Sequence, residues 1–448
     1  MNMRFHQACL LAALAVGFCA QAVRAETLGD FLKQSKVDGQ IRSYYFNRLY
    51  GAPNISNQAA FSLGGILNVE TAPFLGGFGV GVSFYTANSL GANDLTGAPA
   101  YPYVDSTLMG PRYSINALGQ AFLQFKQPWI LVRAGDQLIN TPWLNETGGR
   151  ILPATYQGIY AAVTPLRNLH IYGLREFRWK SRTSADYFRD NGYYPSTFSG
   201  DTMYGNAPAS TLSAGSPPAN GTLAFGASYA LAGAKVQAWY YDFYQFTNMF
   251  YGDADYTLKT GTGFNPFVGA QFLREWGNSL LDGATFYKGI QLAAGVTGYG
   301  VDSTAYGVIG GLNIPNGQVS LSYNAIMPHA GAIGGGSIVS PYTIAYATDP
   351  LYTTSMIRGL VELGPGHAWK IKAAYWLFHR QVRMIAAFAR YHTYYNGDSN
   401  DTYLDVTYFP PDMWKGLSIR DRVEVSNGAV DPGGHSFVYN RVMLAYAF

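Results

Sequence analysis

Apolar and polar residues alternate with a period of two along most of the chain. Residues 37–47 place Asp38, Gln40 and Arg42 on one face and Val37 and Ile41 on the other. Successive side chains of a β-strand point to opposite faces, so this period predicts strands with one apolar and one polar face. The same pattern recurs in residues 61–70, 80–84, 120–126, 290–297, 319–324 and 417–425. The pattern therefore predicts an all-β protein.

The connections between these segments differ in length. Short turns at residues 127–128, 231–234 and 315–317 alternate with long polar segments at 180–221 and 327–355. A soluble β-sandwich has the same alternation, but short turns at one end and long loops at the other are typical of a transmembrane β-barrel. The strand phase between residues 357 and 395 is not resolved, because 364–367 and 379–381 both have the composition of turns.

The composition supports a barrel in a membrane. Only 13% of the residues are charged, against roughly 25% in soluble domains. No apolar segment after residue 25 is long enough for a transmembrane helix. In lipid, only helices and closed barrels satisfy every backbone polar group. At roughly 10 to 13 residues per strand plus loops, the chain accommodates about 16 to 18 antiparallel strands with a polar lumen and an apolar outer face.

The two ends of the chain predict export to the bacterial outer membrane. Residues 8–20 are an apolar run that follows a basic start, which predicts a signal peptide cleaved after Ala25. Residues 1–25 are then the signal and 26–448 a single barrel domain, without either cysteine (Cys9 and Cys19). The last strand ends on Phe448, which looks like the recognition signal of the barrel-assembly machinery.

Several segments resemble the OprD family of substrate-specific outer-membrane channels. Residues 118–158 contain the pieces AGDQ, NTP and RILPATYQG, which are similar to a strand and the inward-folded third loop of that family. Further similar pieces are IRSYYFNR near the start, SPY at 340–342, and LDVTY, KGLSIRDR and YNRVMLAY near the end. The resemblance implies an 18-stranded barrel with inward-folded constriction loops, as a homotrimer or a monomer, surrounded by outer-membrane lipid and lipopolysaccharide.

The resemblance also implies passive uptake of small carboxylate-bearing nutrients along a ladder of lumen arginines. A guanidinium is always charged and binds a carboxylate bidentately, so a row of them concentrates and aligns anions. Five candidates lie on polar strand faces, and Arg390 is added only because it matches the family position in an Arg-Tyr pair. The predicted ladder is Arg42, Arg133, Arg390, Arg420, Arg422 and Arg441. The alternative is that these arginines pair with Asp38, Glu70, Asp136 or Glu424 and only stiffen the wall.

The third loop and the SPY element supply the predicted constriction. Arg150, Tyr156 and Gln157 are expected to border it, with Tyr342 opposite, unless this loop only packs on the wall. Family members that pass basic amino acids tend to carry an acidic residue before SPY, and this chain has Val339 there. That difference favours neutral or aromatic monocarboxylates.

Other classes of function have less support. A formal net charge of +3 without a basic run gives no support for nucleic-acid binding. The seven histidines lack zinc-like spacing and no nucleophile elbow occurs, so no metal, cofactor or enzymatic activity is predicted. Two alternatives stay open: an oligosaccharide pore, which requires an aromatic strip along the lumen, and an outer-membrane barrel hydrolase, which requires a polar catalytic cluster.

Overall fold

Eighteen antiparallel strands form one closed sheet, because β1 pairs with both β2 and β18. The computed structural model describes residues 34–98, 101–110, 114–194, 212–213, 215–277, 279–284, 297–344, 346–411, 414–428, 431 and 434–448. The predicted signal peptide, residues 1–25, lies outside the described residues. The predicted 18-stranded barrel is confirmed. Its strands are β1 (Lys36–Tyr50), β2 (Gln58–Glu70), β3 (Phe78–Asn88), β4 (Ser114–Gln127), β5 (Ile130–Gln137), β6 (Thr155–Leu166), β7 (Leu169–Lys180), β8 (Thr222–Leu231), β9 (Ala234–Phe243), β10 (Thr247–Thr257), β11 (Asn265–Gly277), β12 (Val301–Ile314), β13 (Gly317–Ile326), β14 (Gly366–Leu377), β15 (Val382–Thr393), β16 (Gly397–Tyr408), β17 (Leu417–Gly428) and β18 (Phe437–Ala447).

The apolar strand faces point outward, as the alternation predicts. Val37, Leu123 and Val268 lie on three different strands and are each about 60% exposed or more on the outer face. Their strand neighbours of opposite phase face the interior, where Phe46 and Tyr439 are fully buried. Among the described residues, no helix is long and apolar enough to cross a membrane.

The connections divide the barrel into a loop end and a turn end. In chain order the nine loops at the loop end are L1 (51–57), L2 (89–113), L3 (138–154), L4 (181–221), L5 (244–246), L6 (278–300), L7 (327–365), L8 (394–396) and L9 (429–436). The predicted short turns at 127–128, 231–234 and 315–317 all lie at the turn end. The strand predicted at 290–297 falls in L6, of which 285–296 lie outside the described residues. Among the described strands, β11 pairs directly with β12.

The uncertain segment 357–395 contains two real turns at opposite ends of the barrel. L7 ends in a short helix, α1 (Leu360–Leu363), before β14 begins. At the turn end, residues 378–381 join β14 to β15, and Phe378, His379 and Arg380 all have positive φ. Because one turn lies at each end, β14 is a complete strand between them and the number of strands stays even.

Candidate translocation pathway

Four of the long loops fold back into the barrel from the loop end. In one cluster, Trp143 of L3 and Tyr193 of L4 are buried with Tyr342 of L7 against strands β6 to β15. In a second cluster, Leu108 of L2 and Ile151 of L3 are buried against β1 to β4 and β18. Removing this apolar surface from water holds the loops inside. The loops therefore narrow the lumen at the loop end from two sides.

Arg42 of the predicted ladder and Arg150 of the predicted constriction hold L3 in place. Arg42 of β1 donates from Nη1 to the backbone oxygens of Arg150 and Ile151, at 3.2 and 2.9 Å. Its Nε and Nη2 donate to Oε1 of Gln40. Arg150 is only 5% exposed and donates from Nε to the Thr107 oxygen of L2 at 3.0 Å. Arg42 stays half-buried at the lumen surface, whereas Arg150 braces two loops from within.

Tyr156 and Tyr342 contact each other and are both buried, so the prediction that they border the open constriction is wrong. Their ring centroids lie 5.7 Å apart, and Tyr342 also contacts Trp179 at 5.5 Å. The hydroxyl of Tyr342 donates to Oε2 of Glu176 at 2.7 Å, and that of Tyr156 donates to the Asn145 oxygen at 2.7 Å. Tyr156 is 0% exposed and Tyr342 is 2% exposed. Both tyrosines therefore fix the position of the loops and do not line the open lumen.

Three arginines come together on the lumen face of β17 and β18. Asp405 of β16 pairs with Arg420 (Nε to Oδ1, 2.8 Å) and with Arg422 (Nε to Oδ2, 3.1 Å). In the register of β17 and β18, Arg422 lies directly opposite Arg441, which packs on the Tyr439 ring at 4.3 Å. A methyl group at Gly149 of L3 would lie 3.8 Å from Nη1 of Arg422 and 4.0 Å from Nη1 of Arg441. The tip of L3 therefore approaches these two arginines.

Three further basic side chains, which the sequence analysis missed, extend this row. Lys370 and Lys372 point inward from β14, where Lys370 is buried and donates from Nζ to the Thr354 oxygen of L7 at 2.6 Å. Arg383 points inward from β15, with its guanidinium carbon 5.8 Å from the Trp376 ring centroid. A signal was present, because the two lysines alternate with apolar Ile371 and its neighbours at period two. These residues lie on one continuous part of the wall, because the neighbours in the sheet run from β14 to β18 and then to β1. The basic row is Lys370, Lys372, Arg383, Arg420, Arg422, Arg441 and Arg42.

A buried ion cluster fastens L7 to the wall next to this row. Arg358 of L7 is fully buried and donates from Nη2 to Asp401 of β16 at 2.7 Å, and from Nη1 to Asp431 of L9. Ser355 donates to Asp401 and to Glu424, each at 2.9 Å. Burial raises the pKa of Asp431 to about 6, although the Arg358 guanidinium pulls it downward. L7 is therefore held by charges that have no access to water.

The sequence and the fold of this chain match those of known proteins. A family model described as outer membrane porin, OprD family, matches residues 29–265. The chain belongs to the OprD family of outer membrane porins. No curated protein sequence matches this porin. The family and the fold place the barrel in the bacterial outer membrane, where short turns face the periplasm and long loops face outward.

Solved structures of porins share its fold at low sequence identity. OccK9 (OpdG) of Pseudomonas aeruginosa is 17% identical with a TM-score of 0.70, and OccAB3 of Acinetobacter baumannii is 18% identical with a TM-score of 0.68. A BenF-like porin of Pseudomonas fluorescens Pf-5 is 14% identical with a TM-score of 0.71. Each comparison covers 93% of this chain and 99% of the other.

The prediction that Arg390 lines the pore is wrong. Arg390 alternates along β15 with the buried residues Ala389 and Tyr391, so its side chain points to the outer face. There it is 58% exposed and pairs with Asp398 at 3.2 Å. It lies three residues from the end of β15, at the outer membrane surface, where a charged side chain can reach water.

Gln157 requires a similar correction. It follows the interior residue Tyr156 in β6, so it points outward, and it lies opposite Asp136 of β5. Its amide Nε2 donates to Oδ1 of Asp136 at 2.9 Å. Gln157 therefore does not border the constriction. A β-bulge at Gln157 and Gly158 marks this part of β6 and β7.

The predicted alternative, that carboxylates neutralise the lumen arginines, holds in only one of its four cases. Arg133 lies 3.8 Å from Glu70 and packs on Phe122. In contrast, Asp38 pairs with Lys36 at 2.7 Å. Asp136 lies on the outer face, and Glu424 accepts hydrogen bonds from L7. Arg133 lies on β5, away from the basic row. Among the described residues, no group of three or more His, Cys, Asp or Glu side chains is arranged to hold a metal ion.

Proposed function

We propose that this porin takes up small solutes that bear a carboxylate, and that its basic row guides them past L3. The observation that carries the proposal is Arg422 directly opposite Arg441, both beside the tip of L3. Arg441 is only 2% exposed, so it acts on a passing solute through its charge, whereas Arg422 is partly exposed. Like charges directly opposite each other destabilise a sheet. Asp405 pairs with Arg420 and Arg422, so these four groups keep a net charge of about +2. Such an excess at a narrow point attracts anions and orients them.

Residues on the other side of the constriction indicate which carboxylates this porin takes up. Val339, before the SPY element, is 1% exposed and carries no charge. The nearby carboxylate of Glu275 is fully buried and accepts a hydrogen bond from the Val339 backbone nitrogen at 2.9 Å. Neither group offers a partner to a cationic side chain, which favours neutral or aromatic monocarboxylates. A crystal structure of OpdK from Pseudomonas aeruginosa, 14% identical, holds vanillate, and benzoate is the simplest probe of this class.

Single-channel recording of the purified protein in planar bilayers tests this function. We expect anion-selective steps that added benzoate interrupts, and block roughly 3- to 10-fold weaker in Arg422→Gln, since one charge-assisted hydrogen bond is lost at a partly exposed site. Arg390→Gln is the matched control, because it removes the same charge from the outer face. Cation selectivity, or benzoate block that Arg422→Gln and Arg441→Gln leave unchanged, would overturn the proposal.

The proposal also covers how the barrel is inserted into the outer membrane. Phe448 directly follows β18, exchanges backbone hydrogen bonds with Gly39 at 3.0 Å in both directions, and is 56% exposed on the outer face. This exposed terminal ring suits recognition by the barrel-assembly machinery before closure. The outer face then contacts lipid and lipopolysaccharide, as a monomer or a homotrimer. Removal of Phe448 is expected to lower the amount of folded barrel in the membrane without changing its conductance.

A further inference from the structure

The lumen wall opposite the basic row carries stacked aromatic rings. Tyr160 of β6, Tyr172 of β7 and Trp239 of β9 face the lumen on successive parts of the sheet. Tyr160 and Tyr172 lie 6.5 Å apart with 29° between their planes, and Tyr172 and Trp239 lie 5.1 Å apart with 14°. The stack continues through Tyr241 and Phe243 under the loops, with planes within 17° of each other. The rings thus form one continuous aromatic wall of near-parallel rings, in which Tyr160 and Tyr172 are half-buried.

This surface forms one side of a cavity of about 410 Å³. L3 closes it with Asn140, Thr141 and Pro142, L7 contributes Pro350, and β9 contributes Gln237. The volume lies in the range of ~300–1,000 Å³ that is usual for small-molecule sites. The cavity therefore combines flat rings with amide and hydroxyl groups in a space that holds a single ring-shaped solute.

The polar groups beside the rings are hydrogen-bond acceptors with a net negative charge. Gln237 accepts from the Trp239 indole nitrogen at 2.9 Å and donates to Oδ2 of Asp253 at 2.7 Å. Toward the turn end, Asp253 and Asp255 line an adjoining cavity of about 300 Å³ with Lys235. His170 faces the same space, and its ring stacks on Tyr172 at 6.3 Å. With two carboxylates against one ammonium, this wall repels an anionic solute and accepts hydrogen bonds from hydroxyl groups.

We propose that this wall is a second subsite, which binds the ring of a neutral sugar. The C–H bonds on one face of a pyranose carry partial positive charge and pack against the negative face of an aromatic ring. Its hydroxyls donate to Asp253 and pair with Gln237 and Asn140, which an unsubstituted aromatic solute does not do. The subsite goes beyond carboxylate uptake, because it uses no residue of the basic row. The porin then conducts two solute classes along opposite walls.

Maltose is the probe, added to the full-length porin in planar bilayers and in liposome-swelling assays. We expect maltose to reduce the single-channel current of the wild type. Tyr172→Ala is expected to weaken that block roughly 3- to 10-fold by removing a stacking ring, and Tyr172→Phe to retain most of it. Asp253→Asn weakens the block through the acceptors alone, without changing the ring stack. Tyr306→Ala is the matched control, because this aromatic residue is 43% exposed on the outer face.

Benzoate block distinguishes this subsite from the basic row. The subsite requires that Tyr172→Ala and Asp253→Asn keep benzoate block while losing maltose block. Absence of any maltose effect on the wild type would overturn it, as would maltose block that survives both variants. If Tyr172→Ala weakens benzoate block and maltose never blocks, the rings serve aromatic solutes and the sugar subsite is refuted. Failure of the carboxylate proposal is recognised separately, by arginine variants that leave benzoate block unchanged.

Discussion

Replacement of Arg358 by methionine tests whether L7 limits the pore. Arg358 is fully buried, and it pairs with Asp401 and Asp431, whose carboxylates are buried with it. Methionine fills much of the space but leaves two buried carboxylates without their cation. Breaking a buried pair from one side costs about 3–5 kcal/mol. Such a change shifts the equilibrium between docked and undocked L7 by roughly 100-fold or more.

The expected result is a wider, noisier channel in an intact barrel. The backbone hydrogen bonds of the eighteen strands do not involve Arg358, so heat-modifiable migration on gels should still report a folded barrel. Single-channel conductance should rise, current noise should increase, and protease added from the loop side should cleave L7 faster. The triple variant with Asp401→Asn and Asp431→Asn removes the uncompensated charges and should restore part of the docking. Wild-type conductance and protease resistance in Arg358→Met would refute the reasoning.

Three further predictions concern pH and charge. Burial raises the pKa of Asp349 in L7 to about 6 and that of Glu362 well above its usual value. Because these carboxyls hold their protons more strongly when buried, docked L7 binds more protons than undocked L7. Docking of L7 therefore weakens as the pH rises from about 4 through 6. Lowering the pH from 7 to 5 should quieten the channel, an effect that Asp349→Asn should reduce in bilayer recordings. Glu146 of L3 shares a cavity with Arg42, so Glu146→Gln should raise the chloride-to-potassium permeability ratio in reversal-potential measurements; an unchanged ratio would place its carboxylate outside the ion path. Arg390→Ala should leave conductance and selectivity unchanged, and a clear change would contradict its outer-face position.

The barrel was predictable because lipid on one side and water on the other impose a strict period of two. The segments around Arg42, Arg420 and Arg441 show that period clearly, so their lumen-facing phase follows from sequence alone. The phase failed in β14 and β15, where the turn at 378–381 determines which residues face inward. Its three consecutive positive-φ residues are not glycines, so the turn-like composition of residues 379–381 did not by itself fix where the two strands begin and end. Arg390 was consequently assigned from family position, which does not specify the strand phase.

The constriction was less predictable than the wall, because loop packing has no period. Arg150 and Tyr342 were correctly placed in loops that fold inward, whereas Tyr156 lies in strand β6. The burial of all three depends on how L2, L3, L4 and L7 dock on one another. The same limit applies to Arg358, whose partners lie 43 and 73 residues away. Nothing local in residues 355–358 indicates that L7 is fastened to β16 and L9. Such contacts arise only when the barrel closes and brings distant segments together.

Basic and acidic residues lie on opposite walls of the barrel, so an electric field runs across the width of the lumen. The basic row occupies β14 to β18 and β1, whereas Asp253 and Asp255 lie on β10, beside the aromatic surface of β6, β7 and β9. A field across the pore separates solutes by charge before any contact is made, and it does so most strongly where loops exclude water and lower the local dielectric. Under the two proposals, carboxylates are drawn toward Arg422 and Arg441, while uncharged rings meet no such pull and settle on Tyr160 and Tyr172. Because the two groups of residues share no side chain, either selectivity can be changed by mutation while the other is kept.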